Sequence, residues 1–286
     1  MKTVLSTLSL LLFSAHLCAE SPVWKVSKGE HSLYLGGTMH LLQKSDFPLP
    51  QAFENAYKNA DIFVFEADEQ ELQQPDMQGK MMQMLTYQDG STFRDKLSPE
   101  TSQAVINFMT QRGMAVEQLL PFKPAMLAVI LTIGESQRLG FGQQGVDSYF
   151  LGKARKESKQ VAFLETPMQQ LGFLASMGEG NEDAFMRYTL DDVENLPATL
   201  AIVTSAWREG NFQRMDKDLL ADMRQTFPQV YDVIIKNRND AWMPTLQEYL
   251  TTDEIEFVMV GALHLSGPDG LLNQFLQLGY QLEEVH

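Results

Sequence analysis

The chain is almost without cysteine. Cys18 is the only one among 286 residues. A lone thiol excludes an internal disulfide, and with it the stapled scaffolds of small secreted proteins and the cysteine-rich zinc modules. Positive charge is also scarce: 22 Lys and Arg stand against 37 Asp and Glu, a formal net charge of −15. So acidic a surface repels phosphate backbones and anionic headgroups, which argues against nucleic acid and membrane surfaces as partners. There is no low-complexity tract, no heptad run and no linker rich in Pro or Ser. Several enzyme signatures are missing as well. No His-Glu-x-x-His is present, so an ordinary zincin is excluded, and in GESQR (residues 134–138) Arg138 stands where a nucleophile elbow closes on glycine. Gly140, Gly142 and Gly145 do not follow a strand-like run, so no dinucleotide loop is indicated.

What is present begins with a leader. Met1-Lys2, the apolar run VLSTLSLLLFS and the small residue Ala19 read as a secretory signal peptide cleaved after Ala19. The run falls short of the roughly 20 apolar residues a membrane span needs, and Leu17 sits where a small residue precedes a lipidated cysteine. Cys18 leaves with the leader. The expected mature chain, residues 20–286, is cysteine-free, has no membrane span and is long enough to bury one large core. Its expected compartment is the bacterial periplasm.

Strand and helix patterns alternate along that chain. Residues 23–37 read as a hairpin turning at 28–30, residues 50–60 as a helix and 61–66 as a buried strand. Helical patterns dominate 72–144, with segments at 77–86, 98–113 and 124–140, and again 167–250, so both stretches read as insertions. Between them lie a helix at 145–159 and a strand at 160–166. A strand at 255–261, a helix at 268–279 and an edge strand at 280–285 follow. This order predicts an α/β fold with a mostly parallel sheet flanked by helices. Met77, Met81 and Met84 share one helix face, which reads as core packing.

One pattern occurs twice. LYLGGTMHLL (33–42) and FVMVGALHLSG (257–267) each carry an apolar run, a glycine and a histidine three residues later. His40 and His264 therefore follow strand ends, and Glu66 and Glu165 end two further strands. In an open parallel sheet ligands bind outside the carboxyl ends of the strands, so four polar groups fall on one edge. Gly37 and Gly261 would allow a positive φ or a close backbone approach there. Taken singly, such a histidine reads better as part of a tight turn, its imidazole capping a helix or donating one hydrogen bond, than as a ligand. The matched pair together with Glu66 points instead to an N/N/O set suited to Zn, Mn, Co or Fe. Glu165 would act as general base or further ligand. His31 and His286 carry no such context.

At these residues the sequence resembles the TraB/PrgY/GumN family, relatives of the TIKI metalloproteases, and more loosely the erythromycin esterase and ChaN-type haem-binding proteins. The resemblance rests on Gly37–His40, Phe65–Asp68, Gly145–Phe150, Phe163–Thr166, Arg238-Asn239 and Val260–Gly270. It implies a central sheet with a helical insertion and metal ligation by His40, Glu66 and His264. It also implies roles for Asp68, Asp147, Glu165 and Arg238, the last holding a substrate carboxylate or an oxyanion. By analogy it implies a Mn-, Co- or Zn-dependent hydrolase of peptides or other small substrates. The alternative is a non-catalytic binding protein that sequesters a peptide or a haem-like ligand.

Overall fold

The computed structural model describes residues 21–286, so the expected signal peptide lies outside the described residues. Strands β1 (Val23–Lys28) and β2 (His31–Thr38) form the expected hairpin, turning at Gly29 with φ +66°. They are followed by β3 (Leu41–Leu42), β4 (Ile62–Phe65), β5 (Gln143–Gln144), β6 (Gln160–Phe163), β7 (Glu256–Gly261) and β8 (Gln281–Glu284). Six of these make one sheet in the order β6-β4-β7-β2-β1-β8. The pairs β6/β4, β4/β7 and β7/β2 are parallel, while β2/β1 and β1/β8 are antiparallel. The fold is thus α/β, with a parallel centre and an antiparallel margin. The near-continuous apolar runs of β4 and β7 are what a strand covered on both faces requires.

Register brings the ends of the four parallel strands level. Thr38 lies opposite Gly261, and Phe65 opposite both Met259 and Phe163. The β4–β6 ladder then runs on past the strands, with Leu164 N–H donating to Phe65 O at 3.0 Å and Glu165 N–H to Glu66 O at 2.9 Å. Glu66 and Glu165 consequently stand side by side at the sheet edge.

Two adjacent glycines let aromatic rings close on opposite faces of β2. A Cβ on Gly36 would come within 2.9 Å of the Phe257 ring, and one on Gly37 within 3.0 Å of Phe212. Phe53 and Phe150, from the helices Gln51–Asn59 and Val146–Lys156, stack at 5.8 Å over the Phe257 side. Buried Trp207 donates its indole N–H to Gly37 O at 2.7 Å, tying the insertion to β2.

The helical stretches have cores of their own. Helices Pro99–Gln111, Pro124–Arg138 and Glu182–Glu194 pack around Val105, Met109, Leu131 and Met186. Helix Pro75–Leu85 packs through Met77 on Leu171, with Met81 and Met84 alongside, so the methionine face is core. The helix expected from 268 begins at Leu271. Ser266–Gly270 forms a tight turn instead, with Gly267 at φ +80° and no room at Gly270, where a Cβ would lie 2.5 Å from Ser266 O. Two π-helical turns, Asp216–Leu220 and Asp232–Lys236, carry no sequence signal that distinguishes them from α-helix.

At the far end of β7 from the aligned edge, Glu256 is 2% exposed and its Oε2 is buried without a hydrogen-bond partner. Burial first, and then Glu254 and Asp61, push its pKa up to about 7. A carboxyl raised in the folded state binds its proton more tightly there. Its contribution therefore favours the fold below the unfolded pKa and is lost as pH rises through about 7. Glu256→Gln should raise stability at pH 8 by on the order of 2–3 kcal/mol. Urea unfolding should show that gain shrinking towards pH 5; an equal gain at both pH values would contradict the assignment.

Candidate functional site

Each sequence-predicted residue can now be placed. Glu66 follows β4 directly and is buried, and the Gly261 N–H of neighbouring β7 donates to its Oε1 at 2.7 Å. His264 lies in the short 3-10 turn Ala262–Leu265 after β7, buried, with Nε2 3.9 Å from Glu66 Oε1. His40 stands two residues beyond β2 at the mouth of the site, its side chain 58% exposed and its Nδ1 3.2 Å from Asp147 Oδ2. These three side chains converge on one point. A Cβ on Gly261 would lie 3.4 Å from Glu66 Oε1, 3.6 Å from His264 Cδ2 and 3.7 Å from His40 Nε2. Gly261 has φ −51°, and neither it nor Gly37 is among the positive-φ glycines. Close approach, not backbone strain, is what glycine supplies at both positions.

Arg238 comes from the helix Asn237–Tyr249, directly after the π-turn Asp232–Lys236. Its guanidinium enters the same pocket. Nε donates to Glu165 Oε2 at 3.2 Å, and Nη2 to Glu165 Oε1 and to Glu66 Oε2, each at 2.5 Å. Nη1 meets His264 Nε2 at 3.0 Å and Ile234 O at 3.5 Å. All five guanidinium N–H bonds are accounted for inside the site. Trp242, one helical turn on, stacks against the guanidinium at 4.7 Å and donates its Nε1–H to Glu165 Oε2 at 3.2 Å.

The donors around His264 decide its tautomer. A guanidinium only donates, so Nε2 carries the lone pair and Nδ1 the proton. Asn239 receives that proton, with its Oδ1 2.7 Å from Nδ1. Its amide nitrogen is committed to two carbonyls, His264 O at 3.0 Å and Asp269 O at 2.8 Å, which leaves the oxygen facing the ring. Asp147 plays the equivalent part for His40. Both rings therefore have Nδ1 engaged from behind, an orientation familiar from metal-binding histidines.

Charge in the pocket is uneven. Burial, then Arg238 and His40, lower the His264 pKa to about 3, so the ring is neutral at ordinary pH. Burial alone would raise Glu66. His264, the Arg238 guanidinium, His40 and the Gly261 N–H together hold it down at about 2. With His264 neutral, the permanent charge among these is the guanidinium. Glu165 moves the other way: burial raises its pKa despite its bonds to Arg238, and Glu66 adds to the rise. One carboxylate is pinned ionised and its neighbour is shifted the opposite way.

Two further positions matter. Asp68 caps the helix Glu69–Leu72 through Gln70 N–H at 3.0 Å and pairs with Arg155 at 2.6 Å, which braces the loop after Glu66. Gly145 brings Asp147 to His40. A Cβ there would lie 2.4 Å from both His40 O and Met39 O, while Val146 N–H donates to Met39 O at 3.0 Å and β3 pairs β5 alongside. Sequence reasoning gave Asn239, Trp242 and Gly145 no role of their own. The only signal for them was membership of the matched motifs or the i, i+4 spacing from Arg238.

A model of the TraB/PrgY/gumN family matches residues 22–284. The chain belongs to this family. No curated protein and no solved structure matches it. The six motifs that suggested the family are the segments that build this site.

The donor set of this TraB/PrgY/gumN protein suits a divalent ion. The His40 Nε2, the Cδ2 edge of the His264 ring and an ionised carboxylate surround the space that Gly261 leaves open. Among the described residues, no three His, Cys, Asp or Glu side chains are grouped at ligating distances. The Arg238 guanidinium contacts His264, Glu66 and Glu165 together.

Gly145→Ala should cost at least about 2 kcal/mol, because the methyl would meet backbone that cannot move without displacing His40. Gly152→Ala, on the same helix with only Gln144 Nε2 at 3.9 Å from its Cβ, should be neutral or stabilising by up to about 1 kcal/mol. Chemical denaturation of both variants checks the contrast, and equal effects would argue against the tight contact at His40.

Proposed function

We propose that this protein is an exported, metal-dependent hydrolase of the periplasm, acting on peptides or similar small substrates. The observation that carries the reading is the convergence of His40, Glu66 and His264 around Gly261. These three would hold the ion, with Mn, Co and Zn the candidates. When bound, a divalent ion polarises a carbonyl and acidifies water.

The remaining tasks fall to the chain itself. Glu165, raised in pKa beside an ionised Glu66, is suited to take a proton from water and return it to a leaving amine. Arg238 orients both carboxylates, and through them the substrate; its direct use on a substrate carboxylate would require release of bonds it now makes. Asn239 and Asp147 hold the two imidazoles with Nε2 inward. Glu165 also borders a cleft of 330 Å³ lined by Asp68, Glu71, Phe163, Thr166 and Gln169. That volume accommodates a small ligand, and its acidic wall suits an amine terminus.

A second reading rests on the exposure of His40. An accessible imidazole at the mouth could serve a binding protein that sequesters a peptide or a haem-like ligand without turnover.

Elemental analysis of protein purified without chelator should find near one equivalent of metal in the wild type and little in the His40→Ala/His264→Ala double variant. A peptide-library screen with that ion should then find cleavage in the wild type only. Full metal content and activity in the double variant would refute the site. A Soret band on haem titration, lost in His40→Ala and unaccompanied by hydrolysis, would support the second reading.

A further inference from the structure

An imidazole nitrogen has one lone pair. At Nε2 of His264 that pair faces Arg238 Nη1 at 3.0 Å, and Nη2 of the same guanidinium lies 2.5 Å from Glu66 Oε2. These are two of the electron pairs that a bound ion needs. A guanidinium and a metal cannot share the one at Nε2.

We propose that Arg238 is a built-in competitor for the ion: it occupies acceptors of His264 and Glu66 and leaves them when an ion enters. The inference rests on the reading of His40, Glu66 and His264 as ligands. The guanidinium has somewhere to go. It is held to Glu165 through both Nε and Nη2, and its face packs on Trp242 at 4.7 Å and Phe173 at 5.8 Å. None of these contacts involves His264 or Glu66, so a guanidinium that keeps its Nη2 bond to Glu165 can turn Nη1 away from His264 and slide across the two rings. The Asp232–Lys236 π-turn directly upstream, whose Ile234 O also accepts from Nη1, is the kind of backbone irregularity that accommodates such a shift.

Two properties follow. The fold does not depend on the ion for these contacts, because Arg238 already pairs with both buried carboxylates. Metal affinity is reduced by the fraction of molecules in which Arg238 has vacated the acceptors.

The test is calorimetric titration of the full mature chain with Mn²⁺, Co²⁺ and Zn²⁺, alongside the ion-induced shift in Tm. Arg238→Met keeps an unbranched side chain between Trp242 and Phe173 but cannot donate. Arg238→Lys keeps the charge and loses the planar fork, and it serves should the methionine variant fail to fold. Both should bind at least about tenfold more tightly than wild type, with a larger gain in Tm on binding. Tightening in the lysine variant separates release of Nε2 from simple loss of positive charge. In wild type, ion binding should also shift Trp242 emission, because the stacked guanidinium moves. Equal or weaker binding in both variants, with wild type still binding, would overturn the competitor role alone. No binding in any of the three would remove the ligand assignment itself, and this inference with it.

Discussion

The guanidinium of Arg238 holds the sheet edge together. Parallel pairing of β4 and β6 places two carboxylates, Glu66 and Glu165, side by side where solvent is scarce. Each buried charge costs several kcal/mol unless it is paired and hydrogen-bonded. Arg238 meets both, and Trp242 and Gly261 supply the remaining donors. With His264 neutral, one net negative charge is left over in the pocket. Burial raises the Glu165 pKa, while the Arg238 guanidinium and the Gly261 N–H keep Glu66 ionised.

Position is set by ladders on one side and by a helix on the other. Backbone hydrogen bonds along β4, β6, β7 and β2 fix where Glu66, Glu165, His264 and His40 leave the sheet. The helix Asn237–Tyr249 then presents Arg238, Asn239 and Trp242 to that edge, and each binds a group the strands supply. Behind His40 the close contact of Gly145 with the Met39–His40 backbone fixes Asp147 in turn. Little in the site is left to loop flexibility.

Much of this was legible in the residues. Strand ends could be located because buried parallel strands read as short apolar runs, so His40, Glu66, Glu165 and His264 fell on one edge before any coordinates. Strand boundaries were less exact: Glu165 lies two residues beyond β6, and only the continuing ladder aligns it. Arg238 was accessible only through the family resemblance, since a helix in a long helical stretch has no sheet to place it and a π-turn reads like any other turn of helix. Asn239 was missed for a related reason. Its role depends on which atoms surround an imidazole, and no spacing rule encodes that. The pairing of β3 with β5 escaped because two-residue strands carry no periodicity. Strand order could not be read either, as the connections are long helical insertions.

His264 is neutral, with its proton on Nδ1 towards Asn239 and its lone pair on Nε2 towards Arg238. Nitrogen-15 NMR of the histidine rings in the metal-free protein, followed from pH 5 to pH 8, reads this directly. The account predicts a His264 signal that does not titrate across that range, with Nδ1 protonated and Nε2 bare, and loss of that fixed tautomer in Asn239→Leu. A His264 ring that protonates near its ordinary pKa, or that carries its proton on Nε2, would contradict it.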